Sequence, residues 1–231
     1  MAGQFGSRHF GTKPFLAEAL FSLGKADPVV MYVGAANADD RAFGEALVAV
    51  IKAAGAAEVL WPKLYGRRAQ RTVARQALEQ ADLVFVGGGD VEAGMRTLVD
   101  ASLVDELHAA ADRGVALAGL SAGAIMLGER WIRWPHETAA DSEAETYACL
   151  GLAPCSLDTH GEGDDWRETR SFAAVRAREL GRQARAYAVS SGGALVVDAA
   201  GRLSARGEPV AIFVAAPNEP PRMEAILEVE G

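Results

Sequence analysis

The first half of the chain alternates short apolar runs with segments of helical spacing, and this alternation restricts the fold more than any other feature. Strands are predicted at residues 28–33, 57–61, 83–86 and 115–120, and the first of these, PVVMYV, is a continuous apolar run. Continuous runs of this kind are typical of strands that are buried on both faces. Helical spacing occurs at residues 14–23, 39–54, 71–81 and 91–112. Strands that alternate with helices predict βαβ units, with a parallel sheet covered by helices on both faces.

The second half of the chain is less regular. Helical spacing continues at residues 169–182, whereas residues 130–142 show neither pattern and are predicted to form a loop. Further strands are predicted at residues 156–159, 186–189, 193–197 and 210–214. The sequence DAAG at residues 198–201 is a hairpin signal, so the C-terminal strands are predicted to form an antiparallel edge.

Length and composition suit one large α/β domain. The chain has 231 residues, and half of them are hydrophobic, which is enough apolar surface for a sizeable core. No internal repeat and no low-complexity linker interrupts the sequence. A single domain that spans residues 1–231 is therefore expected.

Charge and cysteine content restrict the classes of binding partner and the cellular compartment that are expected. The net charge is −8 and the basic residues are scattered, so no nucleic-acid surface is expected. The sequence contains no run of about 18 apolar residues, so no membrane span is predicted, and the N-terminal residues lack the apolar core of a signal peptide. Two cysteines, Cys149 and Cys155, are too few for a disulfide framework. We expect a cytoplasmic protein without nucleic-acid or membrane partners. The sequence does not determine the oligomeric state, and a homo-oligomer is one of the alternatives.

The sequence GLSAG at residues 119–123 follows an apolar run and begins a helical segment. A nucleophilic serine has to project from a sharp turn between strand and helix, and such a turn needs small neighbours. Ala122, Gly123 and Ala124 are all small. The following helix would also direct N–H groups at a developing oxyanion. Ser121 is therefore predicted to be the nucleophile of a serine hydrolase, the alternative being a tight turn with an incidental serine.

A glycine turn, GGGD at residues 87–90, ends the preceding apolar run. Ligands usually bind at the edge of a parallel sheet where the carboxyl ends of its strands meet. Gly89 and Ala122 are predicted to supply the two N–H groups of an oxyanion hole, with Gly88 and Asp90 beside the substrate. A simple loop and a phosphate cradle are the alternatives. A dinucleotide site is not predicted, because GGGDVE does not complete the G-x-G-x-x-G pattern.

A serine nucleophile needs a general base, which is usually a histidine. His9 lies in the N-terminal segment, His108 lies within a predicted helix, and His136 lies in the predicted loop. His160 stands at the end of a predicted strand, which is a suitable place on the functional edge of a sheet. His160 is therefore the favoured base, and His136 is the main alternative.

The acid that orients the imidazole is not determined by spacing. The carboxylates that could serve are Glu129, Glu137, Asp141, Glu143, Asp158 and Glu162. Each of them is by default a solvated surface charge. Acyl transfer by a serine triad requires neither a metal nor an organic cofactor, so none is expected.

These motifs together resemble peptidase family S51, which includes peptidase E and cyanophycinase. The resemblance rests on GLSAGA around Ser121, on VGGGD at residues 86–90, and on His160 followed by ETR at residues 168–170. The elbow is similar to the family's GWSAGA, with Leu120 in place of tryptophan, whereas DTH replaces the family's NPH. The family resembles class I glutamine amidotransferases, which implies a flavodoxin-like parallel sheet flanked by helices.

The resemblance also implies roles for an acid and an arginine. The family's triad runs serine, acid, histidine along the chain, and the position of its aspartate falls on His136 here. Glu137 is therefore predicted to be the acid, with Asp141 as the alternative. Arg170 is similar to the arginine that holds the substrate's aspartate in peptidase E, and a guanidinium suits a carboxylate. Arg170 is predicted to bind substrate, the alternative being a surface residue in a first helical turn.

The expected activity is the hydrolysis of short peptides, above all dipeptides with an N-terminal aspartate. A cyanophycinase-like hydrolase of β-aspartyl peptides and a non-catalytic, amidotransferase-like binding module are the alternatives. An esterase of the α/β-hydrolase class is disfavoured, because its histidine usually lies near the C-terminus and this chain has none after His160.

Overall fold

The structure, a computed structural model, describes residues 12–67 and 69–229. These residues divide into two compact units, of which the first ends at Leu127 and the second begins at Gly128. Each unit is described by itself below. The single domain expected from the sequence stays a prediction.

The first unit is built on a parallel sheet. Its strands are β1 (Val29–Val33), β2 (Glu58–Leu60), β3 (Leu83–Val86) and β4 (Ala116–Gly119). The strand order is β2-β1-β3-β4, and all of the pairings are parallel. Val86 pairs with Val33 on one side and with Gly119 on the other, so the carboxyl ends of three strands lie level. This register puts the glycine turn after β3 beside the elbow after β4.

Helices flank this sheet, as the sequence predicts. They are α1 (Thr12–Ser22), α2 (Arg41–Ala53), α3 (Arg71–Gln80), α4 (Val91–Asp100), α5 (Val104–Asp112) and α6 (Ala122–Leu127). The core between helices and sheet includes the fully buried side chains of Tyr32, Leu47, Ile51 and Phe85. Burial of such side chains stabilises the fold by about 1.5–3 kcal/mol each. The predicted combination of a parallel sheet and flanking helices is confirmed.

The prediction of one long helix over residues 91–112 is wrong. Ser102 adopts a left-handed conformation with φ of 55°, and two helices replace the continuous one. The N–H of Ser102 bonds to the carbonyl of Val99, and that of Leu103 bonds to the carbonyl of Leu98. This is a Schellman end, which commonly brings two apolar side chains together. Leu98 and Leu103 are both buried, so packing of Leu103 ends the helix at a point that periodicity does not mark.

The second unit contains a mixed sheet and two hairpins. Its strands are β5 (Arg130–Arg133), β6 (Glu145–Ala148), β7 (Leu157–Thr159), β8 (Ala184–Val189), β9 (Ala194–Val197), β10 (Leu203–Arg206), β11 (Val210–Ala215) and β12 (Arg222–Leu227). The mixed sheet has the order β12-β11-β8-β7, and only its β7–β8 pairing is parallel among the residues described. Helix α7 (Arg167–Leu180) packs against β8 and β11. The predicted antiparallel C-terminal strands are confirmed.

The predicted hairpin at residues 198–201 joins β9 to β10. The side chain of Asp198 accepts hydrogen bonds from the N–H groups of Ala200 and Arg202, at 2.8 and 2.9 Å. The N–H of Asp198 also bonds to the carbonyl of Arg202 at 3.0 Å. An aspartate in such a turn commonly satisfies the following backbone in this way.

The loop predicted over residues 130–142 begins instead with β5, which pairs with β6. Trp131 and Ile132 of this strand are buried, and the ring of Trp131 stacks on Phe172 of α7 at 5.4 Å between centroids. The strand therefore depends on a contact with a residue distant in sequence, which local spacing cannot reveal. No helix in the described part of the chain is long and apolar enough to cross a membrane.

Helix α2 approaches the loop after β2 at a glycine, and this contact is testable. A Cβ atom at Gly44 would lie 2.0 Å from Cη2 of Trp61, whose indole N–H is held by Asp39 at 3.2 Å. We expect Gly44→Ala to lower the free energy of unfolding by about 1–3 kcal/mol, because overpacking outweighs the better helix propensity of alanine. Denaturant unfolding of purified protein measures this.

The matched control is Gly163→Ala, because a Cβ atom at Gly163 meets nothing within 4 Å. Its stability should stay within about 0.5 kcal/mol of the parent protein. Equal stabilities for the two variants would contradict the packing described for Gly44.

Candidate active site

Ser121 occupies the sharp turn between β4 and α6. Its φ is 51°, in the left-handed region that residues other than glycine rarely adopt. Such a conformation costs about 1–2 kcal/mol and persists where the surrounding structure imposes it. The strand, the turn and the helix predicted around the serine are all present. The side chain is partly exposed.

The two glycines of the elbow are required by close backbone contacts. A Cβ atom at Gly119 would lie 2.5 Å from the nitrogen of Ala124, and one at Gly123 would lie 2.1 Å from the carbonyl oxygen of Val86. Real Cβ atoms do not approach other heavy atoms so closely. The turn that projects Ser121 is therefore available only to a sequence with glycine on both sides.

The glycine turn after β3 packs directly against the elbow. A Cβ atom at Gly88 would lie 3.2 Å from Cβ of Ser121, so these two predicted site residues are in contact. Gly89 has φ of 145°, and a Cβ atom there would lie 2.0 Å from the carbonyl oxygen of Ala36. Only glycine fits at position 89, against the loop after β1.

The two predicted oxyanion donors both have their N–H groups unused. Within the described residues, the N–H groups of Gly89 and Ala122 have no hydrogen-bond acceptor. The first N–H groups of a helix have no partner within that helix, which explains the second case. Asp90 caps α4 instead of standing free, because its side chain accepts a hydrogen bond from Ala93 N at 2.7 Å. The substrate roles given to Gly88 and Asp90 stay predictions.

Asn37 is a residue that sequence reasoning missed. Its side-chain amide donates to the carbonyl of Gly88 at 3.0 Å and to the hydroxyl of Tyr32 at 3.2 Å. Burial raises the pKa of Tyr32 to about 12, against the opposing effect of the bond from Asn37, so this phenol stays neutral. Asn37 thus ties the glycine turn to the buried end of β1. Its position just after an apolar strand was the available signal.

His160 lies in the second unit, directly after β7. It has φ of 67°, its side chain is exposed, and its N–H points to the carbonyl of Val189 at 3.4 Å. Its Nδ1 lies 3.1 Å from Oγ of Ser191, which follows β8. The carboxylate of Glu162 accepts a hydrogen bond from the N–H of Ser191. The structure therefore groups His160, Ser191 and Glu162.

The other histidines have different surroundings. His136 is exposed, and its Nδ1 contacts the hydroxyl of Thr138 at 3.2 Å, two residues along the chain. His108 is half-buried on α5. His9 lies outside the described residues.

The candidate acids also differ in their surroundings. Glu137 is exposed in the turn after β5 and has no hydrogen bond or ion pair with any described residue, so its role stays a prediction. Asp141 pairs with Arg167 at 2.8 Å and accepts from Trp134 at 3.2 Å, and the bond from Arg167 holds the pKa of Asp141 below its usual value. Glu143 accepts from a backbone N–H in its own turn, and Glu129 is exposed.

Arg170 lies on the first turn of α7 and lines a cavity of about 520 Å³ within the second unit. The charged lining comprises Arg167, Arg170 and Arg178 together with Asp141, Asp164, Asp165 and Glu219. The guanidinium of Arg170 already pairs with the exposed carboxylate of Asp165. Arg170 is therefore placed where a carboxylate can reach it. In the described part of the chain, no group of three or more histidine, cysteine or acidic residues could hold a metal ion.

Asp158, on β7, is a buried carboxylate. Its two oxygens accept hydrogen bonds from Thr169 Oγ1 at 2.8 Å and from Thr159 N at 2.7 Å. Burial raises the pKa of Asp158 to about 6, with smaller contributions of the same sign from Glu168 and Asp164. The bond to Thr169 joins β7 to α7, and so links the strand before His160 to the helix that carries Arg170.

The raised pKa of Asp158 predicts a pH-dependent stability. A carboxyl group whose pKa is higher in the folded state destabilises the fold once it ionises, so stability is lost as pH rises from about 4 to about 6. Asp158→Asn lacks this charge. Its stability relative to the parent protein should therefore rise by about 2 kcal/mol between pH 4.5 and 7.5, as measured by denaturant unfolding.

Asp141→Asn is the matched control for this measurement. The pKa of Asp141 is lowered, so its titration falls below the pH window and its stability difference should stay constant across it. A difference for Asp158→Asn that is equally constant would contradict the burial of an ionising carboxyl group.

Comparison with known proteins agrees with the predicted resemblance. No curated protein sequence matches the chain. Among solved structures, a peptidase from an acI-B1 Actinobacterium is similar with a TM-score of 0.59 and 15% identity, over 96% of this chain and 91% of that one. A putative peptidase E protein from Listeria monocytogenes EGD-e is similar with a TM-score of 0.62 and 16% identity, over 85% and 93% respectively.

These structural likenesses confirm the fold class, a mixed α/β architecture with a central parallel sheet. The sequence profile of peptidase family S51 matches residues 9–202, a range within which the elbow, the glycine turn, His160 and Arg170 all lie. The chain belongs to peptidase family S51.

Proposed function

We propose that this protein is a serine peptidase that hydrolyses short peptides, with Ser121 as its nucleophile. The observation that carries the proposal is the strained backbone of Ser121, with φ of 51°, on an elbow held by Gly119 and Gly123. Ser102 has a similar φ in a helix-ending turn, so the conformation points to a nucleophile through its place between β4 and α6, with glycines fixed on both sides. Strain of this kind is concentrated at functional sites, and the chain belongs to a peptidase family.

The proposed reaction is acyl transfer. His160 takes the proton of Ser121 Oγ, and this oxygen attacks the carbonyl carbon of the scissile peptide bond. The N–H groups of Gly89 and Ala122 bind the oxyanion. His160 returns the proton to the leaving amine, and a water molecule then hydrolyses the acyl-enzyme. The family pattern suggests Glu137 as the acid of the triad, whereas Nδ1 of His160 lies 3.1 Å from Oγ of Ser191.

The proposed substrates are dipeptides with an N-terminal aspartate. Arg170 supports this proposal, because its guanidinium borders a cavity and already binds one carboxylate, that of Asp165. A guanidinium can bind a carboxylate through two parallel hydrogen bonds, which selects an acidic side chain. The substrate's carboxylate would replace that of Asp165.

Replacement of the nucleophile tests the proposed function. We expect Ser121→Ala to lower kcat for Asp-containing dipeptides by at least about 1,000-fold without loss of folding, because the acyl-enzyme cannot form. Release of the free amino acids measures the rate, and circular dichroism reports the fold.

Ser102→Ala is a matched control, because Ser102 is exposed and has a similar φ of 55°. Its activity should equal that of the parent protein. The substrate panel includes α-aspartyl, β-aspartyl and neutral dipeptides. Turnover by Ser121→Ala at the parent rate would overturn the assignment, and a preference for β-aspartyl substrates would overturn the proposed specificity.

Replacement of Arg170 tests the specificity separately. We expect Arg170→Gln to raise KM for Asp-containing dipeptides by about 10- to 100-fold, since a charge-assisted bond contributes about 1.5–3 kcal/mol. Neutral dipeptides should be affected far less. Arg178→Gln is the control, because Arg178 lines the same cavity but has no proposed substrate contact. Equal losses for acidic and neutral substrates would contradict the role of Arg170.

A further inference from the structure

We propose that Ser191, held by Glu162, positions His160 and fixes the proton of its neutral ring on Nδ1, so that Nε2 is unprotonated and can act as the base. This inference rests on the proposed function, in which His160 accepts the proton of Ser121. Ser191 was not among the residues that the sequence singled out.

The parallel pairing of β7 and β8 brings the three residues together. Thr159 pairs with Val189, so the chain segments that follow the two strands leave the sheet side by side. His160 follows the first strand directly, and Ser191 comes two residues after the second. The result is a distance of 3.1 Å between Nδ1 of the ring and Oγ of the serine.

Glu162 holds Ser191 from the other side. The carboxylate accepts a hydrogen bond from the backbone N–H of Ser191. Desolvation acts to raise the pKa of Glu162, but the bonds from the backbone and hydroxyl of Ser191, together with the nearby His160, bring it below its usual value. Glu162 is therefore ionised at neutral pH and can only accept hydrogen bonds.

The direction of the remaining bond follows from counting protons. The hydroxyl of Ser191 has one proton, and the ionised carboxylate of Glu162 attracts it. The serine oxygen then has only lone pairs to offer to His160. The ring must donate from Nδ1, so in its neutral form Nε2 carries no proton. An unprotonated Nε2 is what a general base for a serine nucleophile requires.

Glu162→Gln would reverse the direction of the hydrogen bonds that link residue 162, Ser191 and His160. Its amide can donate to Oγ of Ser191, which frees the serine proton for Nδ1 of the ring. The neutral ring would then carry its proton on Nε2 and could not accept one there. A catalytic histidine in the wrong tautomer lowers kcat strongly even when the geometry of the site is intact.

The test combines ¹⁵N NMR of the resting protein with steady-state kinetics. In the parent protein, above the pKa of the ring, the shifts should show the Nδ1–H tautomer, assigned by comparison with His160→Asn. Glu162→Gln should move the population toward Nε2–H and lower kcat by about 100-fold with KM nearly unchanged, a large part of what a general base contributes. Ser191→Ala should lower kcat in the same way, and Ser191→Thr should restore it, because it keeps the hydroxyl.

Glu145→Gln is the matched control, since Glu145 is an exposed glutamate of the same unit that pairs with Arg133. It should change neither the tautomer nor kcat. An Nε2–H tautomer in the parent protein would overturn the proposal, as would a tautomer that responds to Glu137→Gln and not to Glu162→Gln. The NMR result does not depend on turnover, so the experiment distinguishes failure of this proposal from failure of the proposed peptidase function.

Discussion

The close approach between the start of α6 and the end of β3 is the constraint on which the first unit depends. Gly123 lies so near the carbonyl of Val86 that any side chain would collide with it. This contact fixes where the chain can turn after β4, and Ser121 takes up the resulting strain in its backbone. Gly88 then packs against the serine, and Asn37 ties Gly88 to β1. The elbow, the glycine turn and the first loop are therefore joined by direct contacts.

The second unit positions its polar groups by a different rule. Its candidate site residues His160 and Ser191 follow strands that are paired in parallel, so the sheet register decides which side chains meet. His160 meets Ser191 for this reason, although 30 residues separate them in the chain. The buried bond between Asp158 and Thr169 joins the same edge to α7. The backbone thus brings these residues together, and the side-chain hydrogen bonds among them then orient the ring of His160.

Features that depend on local chemistry could be predicted from the sequence. The central strands β1 and β3 are buried, so each one is a continuous apolar run, and the glycines of the elbow are required by sterics. Features that depend on distant contacts could not be predicted. The break at Ser102 is set by the burial of Leu103, and β5 depends on the stacking of Trp131 on Phe172. Asn37 and Ser191 were missed because an asparagine or serine after a strand is by default a turn residue.

The central claim is that the strained elbow makes Ser121 a nucleophile, and covalent labelling tests it most directly. A fluorophosphonate probe reacts with an activated serine, and mass spectrometry of the digested protein locates the adduct. We predict a single adduct on the peptide that contains Ser121, formed when the folded protein is labelled and not formed when the protein is denatured before the probe is added. An unlabelled Ser121, or an adduct on another serine, would contradict the account.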